Sequence, residues 1–272
     1  MRKYELLAIS NRLTEAGVKK VRRIGQNKEF DQIRKYVPGD DHRSMNWKAT
    51  ARQNQLMVNQ YQEEKSQQVY SLIDKGRVMK MPFAQMTLLD YAINASLVIS
   101  NIAIRKQDKA GVITFSKRVD KVLKASRQNN QMNKVLEMLY REKTGFQETD
   151  YSKLVIQIKR NIPQRSLLIL YTNFESMPSL ERQLPYLKII ARSHLLLVVF
   201  FENTALEELL ESTPKNTEDI YLKAIGEKFV HDKRQIIQEL KRHGIQSILT
   251  RPENLTVNTL NKYLEIKARG ML

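Results

Sequence analysis

The rhythm of apolar positions changes near residue 66. From Val69 onward, short apolar runs alternate with stretches in which apolar residues recur every three or four positions. Val69–Ile73 is an apolar run that stops at Asp74, the pattern of a buried strand. Residues 87–104 carry Leu89, Ile93 and Leu97 on one helical face and Ala92, Ser96, Ile99 and Ala103 on another, which predicts a helix covered on more than one side. Ala110–Phe115 and the shorter Val119–Leu123 read as strands, and Met132, Val135, Leu136 and Leu139 form the stripe of the next helix. Ser166–Tyr171 and Leu195–Phe201 are continuous apolar runs of the kind buried on both faces of a parallel sheet. Between them, Leu184, Leu187 and Ala191 fall at helical spacing within residues 180–192. A further helix is predicted over residues 217–242, with Gly244 as its stop. Ile245–Leu249 is the last predicted strand, and residues 257–267 form a closing helix with Thr256 as N-cap.

Strands alternating with helices, joined by connections too long for hairpins, predict an α/β fold: a doubly wound, mostly parallel sheet with helices on both faces. Residues 1–65 are different. They hold no long apolar run and carry a turn signal at Pro38-Gly39. They are expected to form an N-terminal clip segment that wraps against the sheet domain of residues 66–272 rather than fold alone.

Composition narrows the function. The chain has 272 residues, and 42% of them are hydrophobic, enough to bury a sizeable core. It has no cysteine, which excludes disulfides, thiolate metal sites and a cysteine nucleophile. The longest apolar run, Leu195–Phe201, is far short of the roughly 20 residues that span a bilayer. Met1–Ser10 leads into charged, polar sequence with no small-residue cleavage site, so no signal peptide is expected and the cytoplasm is the expected location.

The net charge of +17 invites a polyanion as partner. Its distribution argues otherwise. Residues 1–65 hold 14 basic and 8 acidic residues, and acids are interspersed through the rest as well. The densest cluster is Lys19, Lys20, Arg22, Arg23 and Lys28, which could face phosphates, anionic lipid or an acidic protein, or simply be a solvated basic face. No aromatic-rich nucleic-acid signature accompanies it, which argues against nucleic acid. Catalytic signatures are missing too. There is no phosphate-binding loop, dinucleotide fingerprint, zinc-binding His-Glu-x-x-His or Gly-x-Ser-x-Gly elbow. His42, His194, His231 and His243 share no spacing and read as surface or packing residues. No enzymatic activity is expected.

The most specific stretch is residues 30–52, FDQIRKYVPGDDHRSMNWKATAR. Pro38-Gly39 makes a turn, and Asp40 and Asp41 suit local backbone N–H groups. Arg43 and Arg52 suit bidentate pairing with carboxylates, and Trp47 suits an apolar anchor. Val37-Pro38-Gly39-Asp40-Asp41-His42-Arg43, followed by Asn46-Trp47-Lys48-Ala49 and Ala51-Arg52, closely resembles the signature of domain-of-unknown-function family 58. The match continues through Gln55-Leu56-Met57-Val58 and Glu63-Glu64 to Asp74. These bacterial proteins carry a von Willebrand factor A-like domain.

That resemblance implies a place for a metal-ion-dependent adhesion site at the carboxyl ends of the strands. There, many von Willebrand A domains hold Mg²⁺ through Asp-x-Ser-x-Ser, a threonine and a second aspartate. Here Asp74 stands, but Gly76 and Val78 replace both serines, Thr149 matches the threonine, and Asn173 replaces the second aspartate. The site is expected to be degenerate and to hold no cofactor, with Asp74 paired to a nearby cation such as Lys75 or Arg77. Asp150 would restore a carboxylate if the match slips by one position, which leaves Mg²⁺ as the alternative. The resemblance also implies a partner, because such proteins are often encoded near MoxR-type AAA+ ATPases and are thought to act with them in assembly or maturation of other complexes. Some carry membrane spans upstream, so tethering to the cytoplasmic face of the inner membrane through a segment absent from this chain is a further expectation. A protein-interaction module is the first functional reading, and a basic surface for anionic membrane or nucleic acid the second. No oligomeric state follows from the pattern.

Overall fold

The computed structural model describes residues 28–63, 66–83, 86–142, 145–202 and 217–271. They fall into two units, one within Lys20–Ser66 and one running from Gln67 to the end. In chain order the smaller unit holds β1 (Lys28–Lys35), α1 (Trp47–Gln53) and β2 (Met57–Glu63). The larger begins with β3 (Gln68–Asp74), the two-residue strands β4 (Pro82–Phe83) and β5 (Met86–Thr87), α2 (Leu88–Arg105), β6 (Lys109–Phe115), β7 (Val119–Ser126) and α3 (Gln131–Tyr140). It continues with α4 (Tyr151–Asn161), β8 (Leu167–Tyr171), α5 (Met177–Ser193), β9 (Leu195–Phe201), α6 (Thr217–Arg242), β10 (Gln246–Thr250) and α7 (Leu255–Ala268).

A six-stranded sheet in the order β10-β9-β8-β3-β6-β7 forms the centre of the larger unit. Its neighbours pair in parallel except for β7, which closes one edge antiparallel to β6. The period-two alternation of the strands sends their side chains into two separate cores. Val69, Ile73, Val112, Ile169, Leu197 and Val199 meet α2, α3 and α7 on one face. Tyr70, Leu72, Ile113, Leu168, Val198 and Phe200 meet α4, α5 and α6 on the other. Helices on both faces explain why the strands read as unbroken apolar runs. This is the doubly wound, mostly parallel sheet that the sequence pattern predicts and the von Willebrand A-like architecture that the family resemblance implies. From β3 the chain winds first toward β6, then crosses back to β8, so the switch point lies between β3 and β8.

Local chemistry sets the element ends. Thr87 and Asp90 form a reciprocal capping box at the start of α2. Gly244 ends α6 with φ of 69°, a conformation that favours glycine. The closing helix departs from expectation: a tight turn at Pro252–Asn254 runs straight into α7, so Asn254 occupies the cap position and Thr256 lies inside the first turn. Helix α4 was not expected at all, although Tyr151, Leu154, Val155 and Ile158 fall at helical spacing and Asp150 caps it through Ser152 N at 3.0 Å. Among the described residues no helix is long and apolar enough to cross a membrane.

In the smaller unit, β1 and β2 pair antiparallel with a register shift between Phe30 and Gln32. The Asp40 N–H donates to Val37 O at 3.0 Å across Pro38-Gly39, and Gly39 has φ of 108°, as a type II turn requires. Lys19, Lys20, Arg22 and Arg23 lie outside the described residues, and Lys28 is described in its backbone alone.

At the amino ends of the strands, buried Asp108 accepts from Gln67 N at 3.0 Å, Tyr263 Oη at 2.5 Å and Lys267 Nζ at 3.0 Å, which ties α7 to the sheet. Removing one partner of a buried pair leaves the other charge unmet. Asp108→Ala is expected to lower stability by about 3 kcal/mol or more in urea denaturation. The loss is expected to shrink in a Lys267→Met background, which relieves the stranded ammonium.

Candidate functional site

Open α/β sheets bind ligands beyond the carboxyl ends of their strands at the switch point. Here those ends bring Asp74, Thr172 and Asn173 together with Thr149 and Tyr151, although Asp74 and Thr149 are 75 residues apart. Asp74 ends β3 with its carboxylate buried. Its Oδ1 accepts from Thr149 Oγ1 at 2.6 Å and from Gly76 N at 2.7 Å. Its Oδ2 accepts from Thr172 Oγ1 at 2.8 Å, with the Tyr151 hydroxyl at a longer 3.4 Å. Tyr151 and Thr172 also lie 2.9 Å apart, oxygen to oxygen. Burial raises the Asp74 carboxyl above the ordinary aspartate range, and the hydrogen bonds from Thr149, Gly76, Thr172 and Tyr151 oppose that shift in part.

Gly76 is needed here for space rather than for backbone freedom, since its φ is −74°. A Cβ at this position would lie 1.9 Å from Thr149 Oγ1 and 2.9 Å from Asp74 Oδ1. The hydroxyl of Thr149 thus fills the room that a serine side chain would take.

The expectation that Asp74 pairs with a neighbouring cation is corrected. Each group that donates to it is neutral. Lys75 instead turns its buried ammonium to Glu142 and to Asp120, the latter at 2.7 Å. Lys121 approaches the same Glu142 at 2.9 Å, and Thr114 Oγ1 donates to it at 3.2 Å. Arg77 is exposed, as Val78 is in part. Asp150 is engaged as the cap of α4, where Ser152 Oγ donates to it at 2.5 Å and Lys153 pairs with it at 3.2 Å.

Sequence reasoning missed Lys233. This residue of α6 donates to Asn173 Oδ1 at 2.6 Å and to Phe201 O at 3.0 Å, and lies 5.4 Å from the centre of the Phe200 ring. The signal was a lysine in register with buried Ile236 and Leu240, the inner face of the helix. Burial pulls its ammonium down to about 8, while Glu175 and Glu202 oppose the shift.

These residues do not fit a Mg²⁺ ion, which demands near-octahedral oxygen ligands. Gly76 and Val78 offer no side-chain oxygen, the Asp74 oxygens are taken by internal donors, and the Asn173 oxygen is taken by an ammonium. Among the described residues no group of three histidine or carboxylate side chains is placed to hold a metal.

The signature of the smaller unit is mostly local scaffolding. Asp40 accepts two hydrogen bonds from Arg34, at 2.8 and 2.5 Å, and one from Val37 N at 2.9 Å. The Arg34 bond holds the Asp40 carboxyl below its ordinary range. The guanidinium that pairs with a carboxylate of this loop in bidentate fashion is thus Arg34, a role expected of Arg43 and Arg52. Asp41 accepts from Arg43 N at 2.9 Å, and Asn46 caps α1 through Ala49 N at 2.9 Å while donating to Asn59 at 2.8 Å. Trp47, expected as an apolar anchor, is 68% exposed, and Arg43, Lys48 and Arg52 are exposed as well.

Two predictions follow from this geometry. Gly76→Ser with Val78→Ser, which restores the serines of the metal motif, is expected to destabilise the chain by about 1–3 kcal/mol through overpacking. Titration with MgCl₂ in a calorimeter is expected to show no binding to this variant, because the added side chain has no room beside Thr149. Lys233 makes stability depend on pH. Its folded value of about 8 lies below its ordinary 10.5, so the unfolded chain holds more protons between the two and stability rises with pH across that window. Relative to Lys233→Met, the unaltered chain is expected to gain ~1–2 kcal/mol between about pH 7.5 and 9.5 in chemical denaturation.

Several solved structures are similar in fold. BatB, a conserved hypothetical protein from Bacteroides thetaiotaomicron, is 14% identical with a TM-score of 0.47, over 75% of this chain and 100% of that one. The PilB minor pilin of Streptococcus sanguinis is 7% identical with a TM-score of 0.49, over 79% and 64%. An aerotolerance-related membrane protein from Bacteroides fragilis is 14% identical with a TM-score of 0.46, over 74% and 99%. The fold assignment rests on strand order and register rather than on these superpositions. No curated protein matches the chain in sequence. The family model described as Protein of unknown function DUF58 matches residues 32–216, more than half of the sequence, and the chain belongs to that family.

Proposed function

We propose that this chain is a non-enzymatic protein-interaction module that works with a AAA+ ATPase of the MoxR type in the assembly or maturation of other complexes. One observation carries the non-enzymatic reading: the carboxylate at the switch point is fully engaged by internal donors. A general base needs a lone pair within reach of a substrate proton, and a metal ligand needs one free for the ion. Asp74 is enclosed beneath Thr149, Thr172 and Tyr151, and its neighbour Asn173 is held by Lys233. What the strand ends offer instead is a fixed surface on a rigid sheet, the kind of scaffold that presents loops for recognition. The choice of partner comes from the family resemblance.

Co-purification tests the reading. The tagged chain is expected to retrieve a MoxR-type ATPase from a bacterium that encodes both. Hydrolytic activity against ester, phosphate and glycoside test substrates is expected to stay at background. An ATPase that never co-purifies, under conditions where other such pairs associate, would sink the partner; turnover above background that Asp74→Asn abolishes would sink the non-enzymatic reading.

A further inference from the structure

A depression of about 690 Å³ opens beside the Asp74 site at the carboxyl ends of β3 and β6. Its floor is electrically balanced. Buried Lys75 and half-exposed Lys121 face Asp120 and Glu142, two cations for two carboxylates. Its rim is not balanced. Lys117 and Arg118 come from the exposed turn between β6 and β7, Arg141 from the end of α3, and Lys153 from the start of α4. Lys117 makes no ion pair among the described residues, and Arg118 shares with Lys75 an Asp120 that Lys75 already meets. The carboxylates nearest the other two are Glu137, 3.2 Å from Arg141, and Asp150, 3.2 Å from Lys153. Pairs this exposed are worth only about 0–1 kcal/mol and exchange readily for another carboxylate.

We infer that this basic-rimmed pocket is a docking site for an acidic peptide segment of a partner, which presents aspartate or glutamate side chains to Lys117, Arg118, Arg141 and Lys153. This rests on the protein-interaction reading above and gives the partner's chemistry. Three features favour carboxylates on a peptide. Arg118 and Arg141 have the planar fork that matches a carboxylate. Among the described residues the lining contains no aromatic side chain on which a base could stack, as single-stranded nucleic-acid sites require. Asp120 and Glu142 stand within the lining and limit its positive charge to that of the rim, which suits a short acidic segment better than a long phosphate backbone.

The test uses the full chain and fluorescein-labelled hexaglutamate, read by anisotropy at physiological salt. Lys117→Glu with Arg118→Glu is the first variant and Lys153→Glu the second; all three residues are solvent-facing, so folding is expected to survive, and circular dichroism checks it. Lys228→Glu with Arg234→Glu, on the exposed side of α6, matches the charge change of the first variant. Binding about tenfold weaker in both pocket variants, with the α6 variant unchanged, is the expected result. Equal weakening in the pocket and α6 double variants would reduce the effect to net charge and overturn the inference, as would no binding by the unaltered chain. Displacement of hexaglutamate by a short oligothymidylate or by inorganic phosphate at lower concentration, lost in the pocket variants, would make the pocket a phosphate site and overturn it as well. Pocket-dependent hexaglutamate binding by a chain that retrieves no MoxR-type ATPase overturns only the choice of that ATPase and supports the acidic-segment site. Full ATPase recovery by a pocket variant that has lost hexaglutamate overturns the pocket as that partner's dock.

Discussion

The carboxylate of Asp74 has to be satisfied where no water reaches it, and the strand ends are organised around that requirement. A buried carboxylate without donors is severely penalised, so each of its oxygens must be met. Thr149 and Gly76 N meet one, and Thr172 with Tyr151 meets the other. These groups arrive from the loop after β3, from the residues before α4, from α4 itself and from the end of β8. A single side chain therefore fixes the relative position of four segments. The absence of a side chain at residue 76 belongs to the same arrangement, because it makes room for the Thr149 hydroxyl.

The cations around this centre obey the same constraint in the opposite sense. Lys75 follows Asp74 in sequence yet points to Glu142 and Asp120. Lys233 reaches the Asn173 oxygen and a backbone carbonyl instead of a carboxylate. An ammonium held mainly by neutral acceptors is less well compensated than one facing two carboxylates. Burial pulls Lys233 to about 8, and the more distant Glu175 and Glu202 oppose the shift only in part. Had residue 173 been aspartate, the same ammonium would face a full negative charge.

The sheet was legible in the sequence because burial on both faces leaves unbroken apolar runs such as Leu195–Phe201, which is a strand with those same ends. Helix α4 was hard to read because its stripe of Tyr151, Leu154, Val155 and Ile158 is short and interleaved with polar residues, although Asp150 marks its start. The site was legible in its parts but not in its pairings. Asp74, Thr149 and Asn173 could be named through the family resemblance, whereas adjacency in sequence suggested Lys75 or Arg77 as the partner of Asp74. Pairing across 75 or 60 residues is decided by topology, which no local pattern carries. The Asp40 loop shows the same limit at short range. Its turn and caps follow from residue type, but Arg34 was overlooked as partner because it precedes the signature by three positions.

The net charge of +17 is a property of the whole chain, and what a partner meets is a local field. Screening at physiological salt confines that field to about 8 Å, so distant lysines contribute little to recognition at one pocket. Among the described residues at the carboxyl ends of β3 and β6 the charges of the floor cancel, and the field comes from four rim residues on one turn and two helix ends. The balanced floor has a role in this. Lys75 meets both Glu142 and Asp120, and so ties the end of α3, beside Arg141, to the start of β7, beside Arg118. A preorganised rim of this kind loses little entropy when it binds, which is where affinity in a small charged pocket is usually lost. Asp74 and Lys75 are neighbours in sequence, and because each is met by its own set of buried partners, the strand end that carries them is pinned on both sides.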